Sequence, residues 1–267
     1  MKIKLIATDL DGTLLRNDKT ISERTKKILK NYMEKDGKLV LSTGRAYFGT
    51  EWVADELGVK GIVITYNGAR IYDREREEMI YHAPLEEDIV KKVIEISHLK
   101  KIHLNLYQGD DWFVECRDTQ ESQYYTKACG KEPVEKSFYD FDNYFMTKAL
   151  FIGEKEVLEE LKEELRKKLG DKVHLTYSHS TYLEVLNREV NKGAALKRVA
   201  EYYGIDREKI AAFGDEMNDR EMLEYAHYGV AMKNANPELK KYAKFETLTN
   251  EEDGVAEFIL KELEEIL

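Results

Sequence analysis

Residues 3–7 form an apolar run, too short for a helix and rich in Ile and Leu, which predicts a buried strand. Similar short runs recur at 38–42, 62–65, 210–213 and 228–231. Between them the spacing turns helical. Over 21–36, Ile28, Leu29, Tyr32 and Met33 share one face, Ser22 is placed to cap the start and Gly37 to end it. Further helices are predicted over 46–57, 192–203 and 219–225, and from Gly254 onward. In 192–203 the apolar face is Leu196, Val199, Ala200 and Tyr203; in the last helix it is Val255, Phe258, Ile259, Leu263 and Ile266. Strands alternating with helices predict parallel βαβ units with right-handed crossovers. Their carboxyl ends then gather on one edge.

A different pattern occupies the middle of the chain. A hairpin, 70–73 with 79–82, is followed by Pro84 and a helix over 86–98 with Ile89, Val90, Val93 and Ile94 on one face. Ile102, Leu104 and Leu106 alternate with His103, Asn105 and Tyr107, the period of a strand whose polar face is expected to be solvated. Gly109 and Asp110 mark a turn into a strand at 112–116, and the Tyr-rich stretch 117–146 reads as one helix and a long loop. A strand at 148–152, a helix over 154–169 aligning Val157, Leu158, Leu161, Leu165 and Leu169, and strands around Val173, Leu175 and Tyr177 and over 182–186 complete it. The expectation is an α/β domain carrying an α+β insert built on an antiparallel sheet. The expected division is 1–83 with 188–267, and 84–187.

The net charge of −10 and pI near 5.3 argue against nucleic acid or an anionic membrane as main partner. A phosphorylated substrate is also an anion, so its site would have to supply its own positive charge. Cys116 and Cys129 form no Cys-x-x-Cys pair, and no zinc-type spacing occurs, which predicts reduced thiols and a cytoplasmic protein. The N-terminal run is far shorter than a signal-peptide core, and no run approaches the roughly 20 apolar residues of a membrane span. A monomer or weak homo-oligomer is expected.

Candidate chemistry sits at the predicted strand ends. Asp9-Leu10-Asp11-Gly12-Thr13 follows the first strand, where residues two apart share a side and open α/β sheets bind ligands. Phosphate monoester hydrolysis needs an in-line nucleophile, a proton for the leaving oxygen, and positive charge around the remaining oxygens. Asp9 is the candidate nucleophile, and Asp11 the candidate acid and base, a role for which its pKa must rise. Asp215 and Asp219, in Gly214-Asp215-Glu216-Met217-Asn218-Asp219, would reach the same edge; helix capping is the ordinary role for either alone. Together with Asp9 they make an all-oxygen set that suits Mg²⁺. Thr43 can donate a hydroxyl to phosphate, Gly44 lets the backbone approach, and Arg45 either assists or stacks on a neighbouring loop. Lys192 opens a helix, where a cation opposes the macrodipole, and that misplacement points to function. Asn218 and the N–H of Leu10 are further phosphate-binding candidates. Asn67-Gly68 is ordinarily a turn, but its place at the third strand's end allows a substrate-lining role.

Taken together, Asp9-x-Asp11-Gly-Thr, Thr43-Gly-Arg, Asn191-Lys192-Gly and Gly214-Asp215-x-x-Asn-Asp resemble the signatures of the haloacid dehalogenase-like superfamily, in its Cof-type branch of sugar-phosphate phosphatases. Tyr66-Asn67-Gly68-Ala69 and Gly229-Val230-Ala231-Met232 fit that branch as well. Thr8 departs from it, standing where an apolar residue is usual, as does Lys233, where Gly is common. The resemblance implies a Rossmann-like core with 84–187 as an inserted C2-type cap, because the loop over 12–21 is too short for one. It implies that Asp9 and Asp215 ligate Mg²⁺ through side chains and Asp11 through its carbonyl, that Asp219 is an outer ligand or orienting group, and that Lys192 pairs with Asp9 and the phosphate. The function so implied is a Mg²⁺-dependent phosphatase of small phosphorylated metabolites, above all sugar phosphates. A phosphomutase with the same nucleophile and a non-catalytic sugar-phosphate sensor are the alternatives. Binding alone needs no proton shuttle at Asp11, which counts against the sensor.

Overall fold

Strands that read as unbroken apolar runs need cover on both faces, and the first sheet supplies the setting. A computed structural model describes residues 2–262. The strands β1 (Leu5–Thr8) and β2 (Lys38–Ser42) are joined by α1 (Glu23–Glu34), whose cap Ser22 accepts the Thr25 N–H at 3.0 Å. The helix expected over 46–57 is shorter: Tyr47–Gly49 makes a separate 3-10 turn, and α2 (Glu51–Leu57) begins only after Thr50. Gly49 is a poor interior helix residue and marks the break. Next come β3 (Ile62–Thr65), β4 (Arg70–Asp73) and β5 (Glu78–His82).

The middle of the chain contributes α3 (Glu87–Lys100), β6 (His103–Gln108), β7 (Asp111–Val114), α4 (Gln120–Cys129), β8 (Val134–Glu135), β9 (Lys148–Ile152), α5 (Lys155–Leu169), β10 (Val173–His179) and β11 (Tyr182–Asn187). The last part returns to alternation, with α6 (Lys192–Tyr203), β12 (Ile210–Gly214), α7 (Arg220–Tyr225), β13 (Tyr228–Ala231), α8 (Pro237–Lys240), β14 (Phe245–Glu246) and α9 (Gly254–Glu262). Leu263 and Ile266, expected on the last apolar face, lie outside the described residues.

The first sheet runs β14-β13-β12-β1-β2-β3-β4-β5, parallel from β14 to β3, with β4 antiparallel to β3. Its centre is β1, which pairs Thr8 with Phe213 of β12 and with Leu41 of β2. The second sheet runs β10-β11-β9-β6-β7-β8 and is antiparallel except for the short β7–β8 pair. The chain divides into two compact units, 1–45 with 50–81 and 191–267, and 46–49 with 82–190. Each has its own apolar core.

Two expectations fail in the second unit. The polar face of β6 is not solvated, for Asn105 and Tyr107 are buried. Tyr107 donates its hydroxyl to Tyr125 of α4 at 2.5 Å, and His103 meets Asn105 and the α4 cap Thr119. On the neighbouring strands Lys148 and Glu184 form a buried ion pair at 2.9 Å. An alternating strand therefore acquires a second covered face, on which Tyr107 and His103 find polar partners while Asn105 Nδ2 is buried without one. The other failure is Val157, which is 45% exposed while Leu158, Leu161, Leu165 and Leu169 are buried. It sits one residue, about 100° of turn, off their stripe.

Leu161→Ala is therefore expected to cost about 2–5 kcal/mol, whereas Val157→Ala should stay within about 0.5 kcal/mol. Urea unfolding of both variants checks this, and equal losses would refute the assigned face.

Candidate active site

The pairing of β1 with β12 brings Asp9 beside Gly214, and the Asp9 N–H is donated to the Phe213 carbonyl at 3.0 Å. From there the loop after β12 and the first residue of α6 close around one side chain. The Lys192 ammonium is fully buried and donates to Asp9 Oδ1 and Asp219 Oδ1, each at 2.6 Å. Asn191 caps α6 by accepting the Ala194 N–H at 2.7 Å, which leaves Lys192 as the first helical residue. The helix end that disfavours a cation holds one because two carboxylates face it.

Asp219 is committed on both oxygens, since Oδ2 accepts the N–H groups of Asp215 at 3.0 Å and Glu216 at 3.2 Å. Asp215 Oδ1 accepts the Thr13 hydroxyl at 2.7 Å. The carboxylates of Asp9, Asp215 and Asp219 each offer an oxygen within 4.8 Å of the others, and all three residues are buried. Gly12 makes the approach possible. Its φ is +77°, and a Cβ there would lie 2.2 Å from Asp215 Oδ2.

Burial pushes the Asp9 carboxyl well above its usual range; Lys192 opposes this, and the charges of Asp219 and Asp215 add to it. Burial, and after it Asp219, push Asp215 up to about 7, against the Thr13 hydrogen bond and Lys192. Burial alone would lower Lys192, but Asp219 and Asp9 hold it above the usual lysine range. Three clustered carboxylates, two of them paired with one ammonium, leave an excess of negative charge on oxygen donors alone, which suits a hard divalent cation. The buried triad could hold one.

Asp11 differs from expectation. Burial pushes it up, but Arg45 and Lys19 outweigh burial and hold it below the ordinary carboxylate range. Arg45 grips both oxygens, Nε to Oδ2 at 2.7 Å and Nη2 to Oδ1 at 2.6 Å, while Lys19 Nζ reaches Oδ1 at 2.8 Å. Arg45 is thus paired with Asp11. Lys19 was not anticipated: it lies eight residues from Asp11 in a loop, at φ 66°, where no helical or strand periodicity signals its direction.

Thr43 is buried and accepts the Arg45 N–H on its hydroxyl at 3.1 Å. Leu10 is buried, and its carbonyl takes the N–H groups of Thr13 and Leu15. Asn67 lies in the same cluster, accepting the Asn218 side-chain N–H at 2.9 Å, and a Cβ on Gly44 would stand 3.1 Å from its Oδ1. Tyr66 and Asn67 are both left-handed, with φ of 52° and 56°. Two such residues in succession cost on the order of 1–3 kcal/mol each and persist only where surroundings enforce them. Of the departures from the family pattern, Thr8 turns its hydroxyl onto the Asp9 carbonyl at 2.8 Å, and the Lys233 N–H meets the Leu248 carbonyl at 3.3 Å.

Because Asp215 holds its proton up to about pH 7 when folded but releases it near 3.8 when unfolded, the native state binds more protons in that window. Stability in chelator should fall as pH rises from about 4 to about 7 and level off above. Added divalent cation should lessen the fall, and Asp215→Asn should make it shallower, with Asp9 keeping its share. Thermal melts across that range decide the matter; a stability that rises instead would contradict the assigned shift.

Among the described residues no helix is long and apolar enough to cross a membrane. The family model for haloacid dehalogenase-like hydrolases matches residues 6–259. Over 267 residues, 96% of each chain, the protein is 33% identical to 5-amino-6-(5-phospho-D-ribitylamino)uracil phosphatase YitU of Bacillus subtilis (strain 168). It is 32% identical to the HMP-PP phosphatase of Serratia proteamaculans (strain 568), over 89% of this chain and 86% of that one. A crystal structure of a haloacid dehalogenase-like hydrolase from Bacteroides thetaiotaomicron superposes with a TM-score of 0.90 at 33% identity, covering 97% of this chain and 99% of the other. With the family model spanning both ends of the first sheet, and relatives of this similarity along the whole chain, the protein belongs to the haloacid dehalogenase-like hydrolases, among their Cof-type phosphatases.

Proposed function

We propose that the chain is a Mg²⁺-dependent phosphatase of small phosphorylated metabolites, sugar phosphates in particular, working through an aspartyl phosphate on Asp9. The observation that carries this is the buried Asp9 carboxylate, held by Lys192 within an all-oxygen cluster and followed two residues later by a second carboxylate. The Bacillus relative is named for a substrate whose phosphate sits on a ribityl chain, which agrees with a sugar-phosphate substrate.

Asp9 attacks phosphorus while the bond to the leaving oxygen breaks and that oxygen takes a proton from Asp11. Water then attacks the aspartyl phosphate, returns its proton to Asp11 and releases inorganic phosphate. Lys192 keeps the Asp9 carboxylate oriented and balances charge gathering on the phosphoryl oxygens. Asp9 and Asp215, with the Asp11 carbonyl, would hold Mg²⁺, which supplies charge neutralisation at the phosphate. Asp219, committed to Lys192 and two backbone N–H groups, serves as the orienting residue. Thr43, Gly44, Asn218 and the Leu10 N–H are assigned to phosphate.

Asp11 can give up a proton only after it has taken one, so its hold on Arg45 must loosen as substrate binds. The incoming phosphate is the competing anion for the Arg45 guanidinium. The unit inserted between β5 and α6 is assigned the role of cap, selecting the leaving group.

Phosphate release from a panel of sugar phosphates and an aryl phosphate should require Mg²⁺ and vanish in Asp9→Asn. Asp11→Asn should lose about 10²–10⁴-fold on sugar phosphates and far less on the aryl ester, whose leaving group needs little protonation. A folded, Mg²⁺-binding protein that releases no phosphate from any ester would sink the proposal, and transfer to a second sugar in place of water would replace it with a mutase.

A further inference from the structure

Asn67 is buried and sits where three of the candidate phosphate-binding segments converge. Its N–H is donated to the Thr43 carbonyl at 2.9 Å, and the Tyr66 N–H to the Arg45 carbonyl at 3.0 Å, so the loop is tied to the end of β2 on both sides of Gly44. One residue on, Gly68 has φ of +104°, and a Cβ there would lie 2.6 Å from the Asn191 carbonyl, at the start of α6. Tyr66, Asn67 and Gly68 are thus three consecutive residues in left-handed backbone, wedged between β2 and α6.

The result of that backbone is the place of one amide. Asn67 Oδ1 accepts from Asn218 Nδ2 at 2.9 Å and lies against Gly44. A side-chain amide has a donor end and an acceptor end, and phosphate oxygens only accept. With one Asn218 N–H spent on Asn67, its second N–H is on the same nitrogen and in the same plane, on a side chain that is only partly buried. The flipped amide would offer phosphate a carbonyl lone pair instead.

We infer that Asn67 is a positioning residue that locks the Asn218 amide with its donor end toward the substrate phosphate. The inference rests on the phosphatase reading above.

Asn67→Gly tests it, because glycine accepts the left-handed backbone and deletes only the side chain. Expected are an unchanged or raised melting temperature, a rise of about tenfold in KM and the same rise in the inhibition constant of inorganic phosphate, with a smaller change in kcat. Combined with Asn218→Ala, it should add nothing to the effect of Asn218→Ala alone. A folded Asn67→Gly with wild-type KM and phosphate inhibition, or effects that multiply in the double variant, would overturn the inference while leaving the phosphatase reading intact. Should the glycine variant fail to fold, the wild-type Asn218 side-chain amide resonances decide: added inorganic phosphate must shift one of the two protons strongly and leave the other in place, and equal shifts or none would overturn it. A wild type that neither binds nor releases phosphate overturns the reading beneath and the inference with it.

Discussion

One ammonium shared between two buried carboxylates is the constraint on which this site depends. Lys192 has no exposed surface, and removing it from water is costly unless its charge is met at close range. Asp9 and Asp219 meet it at 2.6 Å each. The consequence spreads along the backbone, because the other oxygen of Asp219 holds two successive N–H groups and so shapes the turn that presents Asp215. Charge burial, loop conformation and the arrangement of the acidic triad are one interaction seen from three sides. Loss of the ammonium would leave carboxylates buried without compensation, a worse state than never having buried the pair.

The two carboxylates after β1 live in opposite electrostatic settings. Asp9 is buried among negative charges and is pushed up; Asp11, two residues on, is forked by Arg45 and touched by Lys19 and is held down. Strand geometry alone would give the two similar environments. The difference comes from side chains brought in from the end of β2 and from the loop after β1.

The second unit shows the same logic without a catalytic motif. Lys148 and Glu184 are buried together in the middle of a sheet, Ser178 donates to Glu184 at 2.8 Å, and the Lys148 ammonium lies 4.7 Å from the centre of the Tyr107 ring. A polar face that alternation alone assigns to solvent is instead closed by α4, and most of its polar groups pair with one another, Asn105 Nδ2 excepted. Alternation says which residues share a face; only the helix laid over it decides whether that face is wet.

The elements with dense local signals were legible before any coordinates. Lys38–Ser42, Ile62–Thr65, Lys148–Ile152 and Lys192–Tyr203 stand where apolar runs and helical spacing put them. Asp9, Asp215 and Asp219 could be brought to one edge on paper, because parallel strands with right-handed crossovers align their carboxyl ends and few topologies satisfy that rule. What pattern could not supply was contact between side chains distant in sequence. The grip of Arg45 and Lys19 on Asp11, the hydrogen bond from Asn218 to Asn67 across 151 residues, and the exposure of Val157 beside a buried leucine stripe all turn on directions within an ångström or two. By itself the sequence determined the alternation of parallel strands and helices and the kinds of group at the strand ends, since both follow from local periodicity and chain topology. Tertiary structure decided which charges pair, which faces dry and which amide points where, because those are set by packing between segments that the chain brings together only on folding.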